Sequence, residues 1–427
     1  MRRIGLTGGW LSSILACTLI AILIDDAGAE GVSGERAKAT GLVLDSTGKP
    51  LDRATVLVYE ARVSKGYSPF CPTCWADCGK HVLTDASGRF QIDDLRAGLK
   101  FKLLALKSGY SAAFVENVDP SNGPAPTVNL KTRPAVEDFA RVVRGRVVDR
   151  FSDPVRDAVV EPHGVFAEQR WGRGWMFGSG LASDPMAVTN QQGEFEIAYD
   201  KPAQRMILKI SPRGMAERLI DESTGSDRKT ITVTEGTTVV GRLVDPGGKP
   251  VANAEIALEP YGPNSGRSIG TIRIGTREDG TFSFSNVPPG RVWALFPTME
   301  SLAPRQLARE LVPIEPREDG QTLDVGEVRL RPAHRVRGRI IVSDGKPLPP
   351  DVHLTLLGND GFDSQVGDVS RDGHFEFKGL PKGVVRLSPG ARGYELVDRA
   401  EIVVDQDRDD VLIRMRPNSG EIDRPML

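Results

Sequence analysis

Gly41–Pro50 reads GLVLDSTGKP, and the same pattern returns three more times along the chain. GRVVDRFSDP starts at Gly145, GRLVDPGGKP at Gly241 and GRIIVSDGKP at Gly338, each closed by a proline nine residues after its glycine. The glycines are separated by 104, 96 and 97 residues, a regularity that marks a chain of repeated units. Inside the stretch, apolar and other residues alternate as in a strand with one buried face, and the Gly/Pro group that follows is turn chemistry.

Two further signatures follow in order. The first is TDASGRF (Thr84–Phe90), TNQQGEF (Thr189–Phe195), TREDGTF (Thr276–Phe282) and VSRDGHF (Val369–Phe375). Its polar tract is a turn, its glycine suits positive φ, and its aromatic enters the core on the next strand. The second is IDDLRAG (Ile92–Gly98), FSNVPPG (Phe284–Gly290) and FKGLPKG (Phe377–Gly383), with IAYDKPA (Ile197–Ala203) as a degraded copy. Period-two strands such as VWALF (Val292–Phe296) come next, and about seven short strands per unit of ~95 residues predict a β-sandwich for each. Helical periodicity is nearly absent. A short helix is expected only in SLAPRQLARELV (Ser301–Val312), an insertion of unit three.

This ordered set resembles the carboxypeptidase regulatory-like domain, a transthyretin-like (prealbumin-like) β-sandwich, and is similar to the Cna-B and SpaA-type repeats of surface proteins. The resemblance implies an all-β tandem array of four seven-stranded sandwiches, at residues 38–133, 141–235, 237–332 and 335–417, with a tail at 418–427. It also implies non-catalytic modules that work through protein partners. Short linkers are expected around Thr132–Val142, Thr234–Thr238 and Arg331–Arg335.

The N-terminus reads as an export signal over residues 1–29. Arg2 and Arg3 precede an apolar run from Trp10 to Ile24, and Ala27-Gly28-Ala29 supplies a small-residue exit. The run is short for a membrane span, which takes about 20 apolar residues. Retention as an anchor, or lipidation at Cys17, is an alternative fate. A net charge of −2 gives no electrostatic case for nucleic acid or an anionic membrane. The expected location is the periplasm, the cell surface or the medium.

Catalytic patterns are missing from the sequence. The histidines are His81, His163, His334, His353 and His374, none followed by glutamate at the spacing a zinc peptidase uses, and there is no nucleophile elbow or phosphate loop. Isopeptide self-crosslinking would need a buried lysine, but the recurrent Lys49, Lys249 and Lys346 sit in turns. The acidic run Asp405–Asp410 lacks the glycine and closing glutamate of a Ca²⁺ loop and reads as solvated.

Two insertions remain as candidate sites. FCPTCWADCGKH places Cys71, Cys74, Cys78 and His81 within eleven residues, a Cys₃His set suited to tetrahedral Zn²⁺. In an exported protein the same cysteines also suit a disulfide-stapled loop with one thiol left over. A redox role is the third reading. QRWGRGWMFGSG (Gln169–Gly180) is a Gly-rich insertion carrying Arg170, Trp171, Arg173, Trp175 and Phe177, residues that form binding surfaces for protein or sugar. The function expected is that of an exported binding or structural protein of the cell envelope. A carbohydrate-binding array, or a metal-binding protein centred on Cys71–His81, is the alternative.

Overall fold

The computed structural model describes residues 36–418, apart from 65–71, 74, 76, 124, 137–140, 170–171, 178–183, 200–204, 224–228, 262–270, 359–362 and 399. Residues 1–29, expected from sequence to be an export signal, and most of the C-terminal tail lie outside the described residues. The described chain is all-β, with one four-residue helix, α1 (Met299–Leu302).

Unit one shows the plan. Strands β1 (Arg36–Asp45), β4 (Arg89–Arg96) and β7 (Thr127–Leu130) form one sheet in the order β4-β1-β7. Strands β2 (Thr55–Val63), β3 (His81–Leu83), β5 (Leu99–Leu106) and β6 (Ala113–Val118) form the other, in the order β3-β2-β5-β6. Between the sheets lies a core that includes Val43, Val56, Val58, Phe90, Leu95 and Phe101. Alternation along β4, with Phe90, Ile92 and Leu95 inward and Arg89, Gln91 and Asp93 outward, is what a strand with one wet face requires. The first and last strands of the unit run parallel, Leu42 opposite Thr127 through Asp45 opposite Leu130.

Unit two repeats this with β8 (Val142–Val148), β12 (Glu194–Ala198) and β15 (Lys229–Thr232) in one sheet. Its second sheet holds β9 (Val159–Gln169), β10 (Gly172–Phe177), β11 (Ala187–Val188), β13 (Arg205–Ser211) and β14 (Arg218–Ser223). Units three and four have their own cores, around Phe282, Phe284 and Trp293 and around Phe375, Phe377 and Leu387. In each of these units too the first strand pairs parallel with the last: Thr237–Val244 with Thr322–Arg329, and His334–Val342 with Arg408–Pro417.

The repeated residues meet one another. Gly41 faces Phe90 across the β1–β4 ladder, and Gly145 faces Phe195, Gly241 faces Phe282 and Gly338 faces Phe375 in the same register. A Cβ on any of these glycines would lie 2.5–2.6 Å from the facing ring. The ring therefore occupies the volume that the glycine leaves, and the two residue types are needed together. The turn glycine two residues before each aromatic has φ of +75°, +75°, +78° and +89° (Gly88, Gly193, Gly280, Gly373), and its carbonyl accepts from Val43, Val147, Leu243 or Ile340.

A buried threonine closes the first three units. Thr84 Oγ1 accepts from Ala54 N at 2.8 Å and donates to Leu51 O at 2.5 Å. Thr189 does the same for Ala158 and Val155, and Thr276 for Ala254 and Val251. The residue before each alanine, Arg53, Asp157 or Asn253, has positive φ, so its backbone hairpin needs this side-chain bond to satisfy the alanine amide. Unit four has Val369 at this place and lacks the clamp. Carboxylates hold the turns: Asp45 accepts from Thr47 Oγ1 and from the amides of Thr47 and Lys49, which keeps its carboxyl below the usual carboxylate range. Asp85 and Asp279 are lowered in the same way, each chiefly by its hydroxyl partner, Ser87 or Thr281.

The helix expected over Ser301–Val312 is confined to one turn. Pro304 stands in the run, Gln306 is left-handed at φ +54°, and the segment continues as a 3₁₀ turn (Ala303–Arg305) and two short strands. The strand count also departs from seven in the later units: unit two adds β10 to the plan, while β11 pairs with β9 as β3 does with β2.

The Gly–Phe pairing sets a test within unit three. Phe282→Ala is expected to cost about 3–5 kcal/mol, and Gly241→Val to be destabilising because its side chain has no space. Hydrogen exchange of peptides from that unit reads both, and wild-type protection in either variant would show that the pairing is dispensable.

Candidate functional site

The cysteine-rich insertion is folded onto unit one by its backbone. Ala61 N donates to Pro72 O at 2.7 Å, Gly79 N to Val58 O at 2.8 Å, and Val58 N to Lys80 O at 2.9 Å, so the insertion continues the β2–β3 ladder. Trp75 and Asp77 are buried, at 4% and 2% exposure. The Asp77 carboxylate accepts from Lys80 Nζ at 2.8 Å and from Arg96 N at 3.3 Å, with Arg36 at 3.7 Å. Lys80 also reaches Asp94 Oδ2 at 3.1 Å. This buried acid with its cationic neighbours is the anchor of the insertion. In sequence Asp77, like Asp85, stands out only as an acid close to the cysteines, a candidate base for a metal site; its partners in the fold are Lys80, Arg36 and the Arg96 amide.

Of the four residues expected as a metal set, Cys71 and Cys74 lie outside the described residues. Cys78 is a free thiol packed against the core of unit one, its Sγ donating to Pro72 O at 3.3 Å. Burial pushes this thiol up to about 12, with the Asp77 carboxylate adding in the same direction. His81 stands opposite Leu57 in the β2–β3 register, and its Nδ1 is 3.0 Å from Gly79 O. Its neighbour Val82 packs into the core, as Cys78 does, so strand alternation turns His81 to the other face. Among the described residues no group of three His, Cys, Asp or Glu side chains is placed to hold a metal.

The aromatic insertion is strand over much of its length. β9 extends to eleven residues and pairs antiparallel with β10, Gly172 opposite Gln169 through Phe177 opposite Gly164. Arg173, Trp175 and Phe177 occupy alternate positions of β10, whereas Arg170 and Trp171 lie outside the described residues. What reads as a loop in sequence, on account of its glycines, is a hairpin whose outer strand closes one end of the sheet, in the order β10-β9-β13-β14.

Other candidate groups are engaged within the protein. Asp407 and Asp409 of the acidic run pair with Arg335, and Asp410 with Arg408. Lys346 pairs with Asp344 at 3.2 Å. Lys209, on β13, is a strand lysine set 2.8 Å from Glu161, and the Glu161 and Glu217 charges raise it against the opposing effect of its burial. It stays protonated and is no nucleophile at neutral pH. A cleft of about 210 Å³ between units one and two is lined by Tyr110, Arg133, Asp184 and Glu196 among others. Its Arg133 is taken up by Asp184 at 2.5 Å and Glu196 at 2.8 Å.

No protein-family model matches the chain, and no curated protein sequence matches it. Among solved structures it is similar to the Bacillus anthracis TIE protein, at 14% identity and a TM-score of 0.21, over 91% of this chain and 76% of that one. It is similar to GBS52, the minor pilin of Streptococcus agalactiae, at 12% identity and a TM-score of 0.25, over 44% of this chain and all of that one. The major pilin subunit BcpA of Bacillus cereus gives 10% identity and a TM-score of 0.18, over 70% of this chain and all of that one. The sandwich assignment rests on the sheets themselves. Among the described residues no helix is long and apolar enough to cross a membrane.

The Cys78 environment sets a pH-dependent test. A rise from near 9 to about 12 lowers the thiolate fraction at pH 8 on the order of a thousandfold. Iodoacetamide is therefore expected to spare Cys78 in the folded protein at pH 8, to react faster as pH climbs, and to label it fully on unfolding. Mass mapping reads the site. A label that appeared only after chelation or reduction would instead assign Cys78 to a metal or a disulfide.

Proposed function

We propose that the chain is an exported, non-catalytic structural and protein-interaction protein of the cell envelope, and that the β9–β10 hairpin is its contact surface. The hairpin carries this reading: among the described residues β10 has a ladder partner on one side only, a strand at the end of a sheet is a template for strand addition, and Arg173, Trp175 and Phe177 stand at alternate positions of β10. Main-chain hydrogen bonds would supply affinity and the side chains at alternate positions specificity. The tandem sandwiches then act as the scaffold that displays the hairpin. Export rests on the N-terminal signal residues.

The test uses a photo-crosslinking residue at Trp175 in the full chain, in its native cells, with the same residue at the exposed turn residue Phe151 as control. Crosslinks to a discrete protein from position 175, absent from position 151 and lost when residues 172–177 are replaced by a short turn, are expected. Equal crosslinking from both positions would overturn the assignment of the hairpin.

Zn²⁺ at Cys71, Cys74, Cys78 and His81 is the second proposal for the chain; it stands on the donor set alone and requires His81 to leave the face on which strand alternation sets it. Native mass spectrometry before and after chelation checks it.

A further inference from the structure

The apolar clusters are not spread evenly along the array. One of them, Leu57, Leu104 and Leu106 of unit one with Val159 and Val188 of unit two, joins the outer faces of two sheets. Ion pairs flank it. Arg53 bonds Asp157, the two being the positive-φ residues at the same place in each repeat. Arg133, which follows β7, bridges Asp184 and Glu196, and Glu196 also accepts from Arg144 at 2.6 Å.

A second junction is built differently. The core of unit four includes Met299, a residue of the insertion in unit three, at 0% exposure. The amide of Met299 donates to Asp363 Oδ2 of unit four at 2.6 Å. Arg309, from the same insertion, stands 3.6 Å from that carboxylate, with both side chains under 5% exposed, and lies over the Phe296 ring. Ala303 fits against Gly379 so closely that a Cβ on that glycine would come within 2.7 Å of it. Unit four is thus completed by a segment of unit three.

Between units two and three the described contacts are mainly polar, and they include an exposed ion pair of Arg150 with Glu235, in the connecting segment, at 3.2 Å. Asn286 Nδ2 donates to Gly214 O at 2.9 Å and to Glu235 O at 2.7 Å, and Ala216 sits against Gly236. Asp319 accepts from Thr234 Oγ1 and Gly236 N, which ties the connecting segment to unit three. Arg96 of unit one approaches Glu300 at 3.9 Å, with the glutamate two-thirds exposed. Among the described residues no apolar cluster spans this junction. Exposed ion pairs contribute little and surface hydrogen bonds exchange readily with water, whereas buried apolar area and a desolvated ion pair resist separation.

We infer that the array is two rigid blocks, units one with two and units three with four, that bend against each other at Thr234–Gly236. The basis is the placement of buried contacts, and it is independent of what the hairpin binds. Each block unfolds as one cooperative body because breaking its junction exposes an apolar cluster or a buried charge pair.

Hydrogen-exchange mass spectrometry of the full chain in rising urea reads this directly. Peptides from residues 36–233 are expected to lose protection in one transition and those from 237–417 in another. Leu57→Asp should raise opening of units one and two together and leave units three and four unchanged. Asp363→Ala, which removes the carboxylate shared by Arg309 and the Met299 amide, should raise opening of units three and four together, on the order of a hundredfold, and Met299→Ala should do so more mildly. One transition for all four units would overturn the inference, as would a variant that opened its own unit alone or opened both blocks. Small-angle scattering of the intact protein tests the bend: a profile that needs a range of inter-block angles is expected, and one reproduced by a single rigid arrangement would refute it.

Discussion

A phenylalanine ring lying in the space of a missing side chain is the contact on which each sandwich depends. In all four units the glycine of the first strand and the aromatic of the neighbouring strand stand directly opposite, and a Cβ on the glycine would fall inside contact distance of the ring. The pairing pins register, since a slip of one residue would bring the ring against a full side chain and turn the apolar set outward. The turn glycine two positions earlier is bound by the same geometry, because its carbonyl must reach the first strand.

The periodic part of this was readable from the chain alone. Gly41 and Phe90 recur in the same order in every unit, within motifs that repeat around them, and Thr84 recurs in the first three. Residues that keep company in this way while the length of chain between them changes are held together by a contact in space. The insertions were less legible. Pro304 and Gln306 cut a helix-like run in unit three to a single turn, and the glycines at 172 and 174 suggested a loop where a strand forms, since pairing with β9 outweighs their local freedom. The junctions were not legible at all. Asp363, Arg309 and Asp157 belong to no pattern, and their roles come from contacts over 50 to 100 residues of chain that no local signal encodes.

The cysteine insertion shows the same division. Its composition announces chemistry, yet the groups that hold it in place are Trp75 and Asp77, which carry no motif. Asp77 is tolerable in the interior because Lys80, Arg36 and the Arg96 amide surround it. Cys78 is drawn inward with the same turn, and its reactivity falls as a result. The hairpin of unit two is the opposite case: among the described residues β10 stands at the end of its sheet. One insertion is tucked into its unit, and the other extends a sheet edge.

The parallel pairing of first and last strands has a mechanical meaning. In every unit the chain enters at one end of the first strand and leaves beside it at the far end of the last. Tension along the backbone then draws these two strands past each other lengthwise, so that their ladder bonds share the load and must fail together. Strands peeled from one end would instead surrender their bonds singly. Four such clasps in series would carry an axial pull in shear, with any give at the inferred joint at Gly236.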